Sequence, residues 1–334
     1  MTVSISIKRP TTIEEQIKQL KERGMYISDE YDLRRWLNTV GYYRLSGYWW
    51  MYEEHYPNCA PRTHTFVEGT TWTQVKQTYI FDQKFRRLIS IGIEKIEIAV
   101  KALWAQYLAT HYNTSHPHED TNIFKSEICS PSQESSTETA FDKLVRSYQK
   151  SNETFAKHYR EKYKDFSTPP IWVSALFLTL GELLNWIHGI KSKSDKRAIF
   201  SIFSIDYRPM LSILNHLRWV RNVCAHNGRL WNKRTPLLFM PVRGLQDRLI
   251  FSSLDTSKLD SKIYNTIIVM SEILKSIDPE YPFVYFIKEL ILHSKHVNPK
   301  MMGFPNDWLE RKEWMVPVPL PKQVQNNKRK LEKV

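Results

Sequence analysis

Apolar residues recur along this chain mostly at three- and four-residue spacing, the signature of helices that bury one face. Thr12 and Glu15 form a predicted capping box, and Ile13, Ile17 and Leu20 give the stripe of a first helix stopping at Gly24. A second helix is expected from Asp29 to Val40, with Leu33, Trp36, Leu37 and Val40 inward and Gly41 as its stop. The longest periodic segment runs from Trp72 to about His111, capped by Thr71 or Thr73, with a broad apolar stripe from Phe81 to Tyr107 and a kink expected near Gly92.

After Pro169 and Pro170, IWVSALFLTLGELLNWI reads as one largely buried helix, followed by the basic turn KSKSDKR and a short helix through Ile199, Phe200 and Phe203. Residues 209–232, PMLSILNHLRWVRNVCAHNGRLWN, open on a helix-starting proline and carry Met210, Ile213, Leu214, Leu217, Val220 and Cys224 on one stripe. Arg218, Asn222, His226 and Arg229 step by four, four and three, which stacks them on another face. Arg221 lies about 140° from His226 around an ideal helix, within the swing of its long side chain. Beyond them TPLLFMPVRG reads as extended, and further helices are expected from about Ser257 to Ser276 and within residues 279–295.

Two stretches lack periodicity. Residues 57–71 are polar and loop-like, with room for a short hairpin, and residues 113–140, rich in Ser, Thr, Glu and Pro, read as a mobile insertion. His111, His116 and His118 near Glu119 and Asp120 are metal-ligating types, but loop histidines of this kind rarely chelate, and no metal site is expected. The pattern therefore predicts a mainly α chain with minor irregular or short β segments. Residues 1–60 form an N-terminal helical, aromatic and basic extension, residues 70–320 an antiparallel helix bundle, and residues 321–334 a basic tail.

Charge narrows the partner. Among 334 residues, Lys plus Arg exceed Asp plus Glu by 48 to 35, giving +13, which favours nucleic acid or an anionic surface. MTVSISIKRP has no leader-like apolar core and no run of about 18 apolar residues occurs, so a cytoplasmic protein that does not enter a membrane is expected. Cys59, Cys129 and Cys224 are far apart and lack C-x-x-C spacing, which fits a reducing compartment. The aromatic run YYRLSGYWWMYEEHY, with Arg34, Arg35 and Arg44, has the makings of a base-stacking, phosphate-holding surface; the competing reading is that its rings staple the N-terminal helices to the main domain. Lys157 and Arg160, in a basic segment, are candidates for phosphate contact or for a plain solvated face. Glu94, Glu97 and Lys101 share a face of the long helix, with Glu97 and Lys101 well spaced for an ion pair.

The chemistry concentrates at Arg221 and His226. An imidazole moves protons near neutrality while guanidinium groups hold a phosphate and neutralise growing charge, a combination suited to phosphodiester cleavage. RNVCAHNGRLWN resembles the R-N-x-x-A-H-x-x-R-L-W-N signature of the Abi (AbiD/AbiF type) abortive-infection family, whose Arg and His match the R-x4-6-H motif of HEPN ribonucleases. RPTTIEEQIKQLKERG with YYRLSGYWW, the run FDQKFRRLISIGIEKIEIAVKA, the P-I-W opening at Pro170 and Gly181 extend the resemblance over roughly residues 8–240. Lys101 stands where many members carry Arg, and Leu176 where an acid is common.

The resemblance implies a HEPN-like fold and an antiphage endoribonuclease that needs no metal or cofactor. Arg221, His226 and Asn222 would be catalytic, supported by Arg229, Glu94 and Glu97, with RNA held by Arg34, Arg35, Arg44, Lys101, Lys157, Arg160 and Arg218. HEPN sites pair two such motifs, and this sequence has one, which implies a homodimer. A small noncoding RNA is an implied partner. The alternative is a catalytically inactive RNA-binding or RNA-sensing module; a metal-dependent nuclease using the carboxylates is a third and less favoured reading.

Overall fold

The computed structural model describes residues 9–54, 64–131, 138–164 and 166–316. Among them the chain is mainly α, with isolated bridges in place of strands. The helices are α1 (Ile13–Glu22), α2 (Glu30–Thr39), α3 (Tyr42–Trp49), α4 (Trp72–His111), α5 (Ser126–Cys129), α6 (Ala140–Lys150), α7 (Thr154–Lys162), α8 (Ile171–Ser174), α9 (Leu180–Gly189), α10 (Lys193–Ile199), α11 (Tyr207–Ala225), α12 (Tyr264–Ile277) and α13 (Phe283–Leu292). They form two compact units, one of residues 1–85 and 289–298, the other of residues 86–288 and 299–334. This division falls inside α4, whose first turns carry buried residues of the first unit. The expected basic tail at 321–334 and Cys59 lie outside the described residues.

In the first unit the local signals act as read. The Thr12 hydroxyl accepts from the Glu15 amide and the Glu15 carboxylate accepts from the Thr12 amide, closing the capping box of α1. Thr71 and Gln74 exchange the same pair of bonds and start α4. Asp32, buried on α2, accepts from Trp72 Nε1 (2.9 Å), Lys76 Nζ (2.9 Å) and Arg35 (2.7 Å). Burial pushes its carboxyl up, but the bonds from Lys76, Trp72 and Arg35 outweigh that and hold it at about 2. Part of the aromatic run belongs to the core of this unit. Tyr48 and Trp49 are buried, the Tyr48 hydroxyl donates to Asp82 (2.7 Å), and Tyr42 exchanges bonds with Arg23 and Gln19. Of its tyrosines, Tyr43 alone among the described residues is fully open, at 92% exposure.

In the second unit α4 continues without interruption through Gly92. A Cβ there would lie 2.6 Å from Met270 Cε and 3.0 Å from a Phe283 ring carbon, so the glycine permits close packing against α12 and α13 where a kink was expected. The expected mobile insertion at 113–140 is, in its described parts, docked. Ile123, Phe124 and Cys129 are buried, Lys125 donates its amide to Gly189, and Phe124 bridges to Ile190. Its apolar residues are too few to show periodicity, and α9 supplies the surface they cover. The single helix expected after Pro170 is two. Leu178 is extended, and Thr179 with Glu182 forms a capping box that starts α9. The helix expected from Ser257 begins at Tyr264, since Asp255 turns the preceding chain by bonding Ser257 and Lys258.

Candidate functional site

The second unit positions its chemistry through α11, which packs on α9. All six residues of the expected stripe, Met210, Ile213, Leu214, Leu217, Val220 and Cys224, are buried. At about 25 cal/mol per Å² of apolar area removed from water, such a stripe holds the helix rigidly against its neighbours. His216 joins them. Its ring takes the Leu237 carbonyl on Nδ1 and the Thr266 hydroxyl on Nε2, and burial pulls its pKa down. His216 is therefore a satisfied core histidine. Arg218, Arg221, Asn222 and His226 are exposed on the other side of the helix, and none of their side chains has a hydrogen-bond or ion-pair partner among the described residues.

The end of α11 fixes His226. The helix stops at Ala225; His226 is its C-cap, and its amide donates to the Asn222 carbonyl (3.0 Å). Asn227 has φ 54°, its amide bonds the Cys224 carbonyl (2.9 Å), and the Gly228 amide bonds that of Val223 (2.7 Å). This is the Schellman closure, in which a left-handed residue turns the chain away from the helix axis. The expected face of four is corrected accordingly: Arg218, Asn222 and His226 follow the helix, whereas Arg229 lies beyond its end and is half-buried. The Asn227-Gly228 pair after the periodic run is the sequence signal for this stop. Leu230 and Trp231 are fully buried and anchor the turn.

Gly181 gives the site a further restraint. A Cβ there would sit 3.1 Å from Arg218 Cδ, so the glycine lets the Arg218 stem lie across the first turn of α9. On α4, Glu97 pairs with Lys101 at 2.9 Å, both side chains largely buried, and Glu94 is exposed. Neither carboxylate bonds Arg221 or His226 among the described residues.

The remaining candidates divide by commitment. Arg34 pairs with Glu14 and Glu30, and Arg35 with Asp32, within the first unit. Arg44 is half-buried. Arg160 donates to the Tyr148 and Ser151 carbonyls and stacks over the Tyr148 ring, tying α7 to the end of α6, whereas Lys157 is exposed. The histidines of residues 111–120 are likewise placed. His118 is fully buried, and both hydroxyls beside its Nε2 give their own protons away, Thr168 to Glu119 and Ser174 to the Pro169 carbonyl. His118 therefore donates through Nε2 as the neutral ring, and burial drops its pKa to about 3. Among the described residues no group of three His, Cys, Asp or Glu is arranged to hold a metal, and no helix is long and apolar enough to cross a membrane.

Arg218, Arg221, Asn222 and His226 are thus four candidates that one helix leaves exposed among the described residues. Compared with known proteins, no curated protein and no solved structure matches the chain. Residues 35–232, more than half of its length and ending on the asparagine after Trp231, match the family described as Abi-like protein. By that match, the chain belongs to the Abi-like protein family.

Proposed function

We propose that this protein is a metal-independent HEPN-type endoribonuclease acting in abortive infection, its site built from Arg221 and His226 of two copies. Family membership supports the defence role against phage. The observation that carries the enzymatic reading is that Arg221 and His226 are both exposed at the C-terminal end of α11, without a side-chain partner among the described residues. The 2′-hydroxyl of the substrate RNA attacks the adjacent phosphorus, and the bond to the 5′-oxygen of the next nucleotide breaks. His226 handles the proton and Arg221 neutralises the charge on the phosphorane. Asn222 orients the phosphate, and Arg218 holds flanking backbone. The products are a 2′,3′-cyclic phosphate and a 5′-hydroxyl, and DNA, lacking the nucleophile, is not cut.

Arg221 and His226 lie on open surface in one chain, so a second copy is needed to exclude water and complete the charge around phosphorus. A small noncoding RNA bound by the positive chain regulates the activity. The same openness favours a second reading, an inactive RNA-binding module in which the strip only grips phosphate. Purified wild type, His226→Ala and Arg221→Ala are incubated with total RNA in EDTA, and the ends are mapped. Cleavage to cyclic phosphates, lost in both variants while RNA binding persists, supports the enzyme; wild-type protein that binds RNA and never cuts it, with or without phage-infected extract, leaves the binding module.

A further inference from the structure

Near the start of α11, away from His226, the second unit contains a cavity of ≈ 410 Å³. Arg197, Arg243, Asp206 and Tyr207 line it, together with the buried Phe200 and Phe203. We propose that this cavity binds a nucleoside phosphate, either a free nucleotide or the 5′-phosphorylated end of an RNA.

Charge comes first. Arg197 and Arg243 reach the cavity from different segments, and neither has an ion-pair or hydrogen-bond partner among the described residues. Two unmatched guanidiniums around one concavity repel each other, and an anion between them removes that repulsion while matching their planar forks. Geometry supports the same ligand. The Arg197 guanidinium lies 5.4 Å from the Tyr207 ring centroid, and Tyr207 is held from another side by Arg208, whose Nε donates to its hydroxyl at 3.1 Å. Arg197 is thus braced before any ligand arrives.

Asp206 distinguishes a nucleotide from a bare anion. Its carboxylate makes no capping bond to α11 and stands in the same wall as the arginines. It would repel inorganic phosphate, but it accepts from ribose hydroxyls placed one sugar away from the phosphate. The volume lies in the range of small-ligand sites. The 19-residue α11 separates this cavity from His226 by roughly 28 Å along its axis, so the ligand here is not in the cleavage site. The proposal does not depend on ribonuclease activity.

The test is calorimetric titration of the full chain with 5′-AMP, adenosine, inorganic phosphate, and one short oligoribonucleotide with and without a 5′-phosphate. Binding of 5′-AMP or of the 5′-phosphorylated oligonucleotide, about tenfold or more tighter than its phosphate-free counterpart, is expected. Preference for AMP identifies a free nucleotide as the source, and preference for the oligonucleotide identifies an RNA end. Arg243→Gln and Arg197→Gln should each weaken that binding by about tenfold, while Asp206→Asn narrows the preference for AMP over 2′,3′-dideoxy-AMP. Arg243→Lys and Arg197→Lys keep the charge without the fork and serve if a glutamine variant unfolds; the same loss is expected. His226→Ala should bind like wild type, which separates this site from the cleavage reading. Absence of binding by both phosphorylated probes, equal affinity for adenosine, or unchanged affinity in all the arginine variants overturns the proposal.

Discussion

His216 and His226 lie on the same helix and show how environment assigns chemistry to a residue type. His216 spends both ring nitrogens on Leu237 and Thr266 in the core, whereas His226 ends the helix with its ring in solvent. Periodicity placed Arg218, Asn222 and His226 correctly and Arg229 wrongly, because the helical repeat was carried through a stop that Asn227 and Gly228 impose. If His226 transfers protons, His226→Ala lowers the rate of RNA cleavage by about 10²- to 10⁴-fold while RNA affinity changes little, as read by end-mapping and filter binding. Asn227 offers an indirect check. A β-branched residue is strained at φ 54°, so Asn227→Val should cost about 1–2 kcal/mol of stability in denaturant titration and lower activity by loosening His226, whereas Asn227→Gly leaves both near wild type.

Helices with a local start signal and one apolar stripe were legible as elements. α1, α2 and α4 match their expected spans closely because caps and stripe coincide in sequence. The break between α8 and α9 was missed although Thr179 and Glu182 spell it, since a continuous apolar run masks the change of phase. Thr179→Ala should therefore cost about 1 kcal/mol, measured by thermal unfolding. Gly181 on the next turn tests whether α9 orders the site. The 3.1 Å approach of a new Cβ to Arg218 Cδ would shift that side chain, while alanine improves helix propensity by about 1 kcal/mol. Gly181→Ala should thus leave melting within about 1 kcal/mol of wild type and weaken RNA binding severalfold, matching the effect of Arg218→Ala.

Whole-molecule behaviour follows from groups that no local pattern exposes. His118 titrates at about 3 in the folded chain against 6.5 in an unfolded one, so as pH falls below about 6.5 the unfolded state binds more protons and stability declines. The contribution is fully present above pH 6.5 and is lost progressively towards pH 3, with a slope of up to about 1.4 kcal/mol per pH unit, and His216 acts in the same direction. Denaturant titrations of wild type and His118→Gln from pH 7 to pH 4 should show a shallower slope in the variant. Assembly is the other global property. If two copies share the site, cleavage per mole of protein falls steeply on dilution through the dimer dissociation constant, in step with sedimentation velocity; a rate strictly proportional to concentration while the protein sediments as a monomer would exclude the shared site.

Residue types and their spacing alone give the helical class, the caps of the early helices and the buried stripe of α11, and they single out Arg221 and His226 as candidates. These depend on residue spacing and on side chains that bond their own backbone neighbours. Tertiary structure decided which of the basic residues remain open. Arg34, Arg35, Lys101 and Arg160 are taken up by partners within their own units, while Arg218, Arg221 and Lys157 are left to solvent. It also docked residues of the expected insertion onto α9 and brought Arg197 and Arg243 around one cavity. The physical reason is that a salt bridge, a buried histidine or a cavity wall depends on groups meeting across distant parts of the chain, and such meetings leave no period in the sequence.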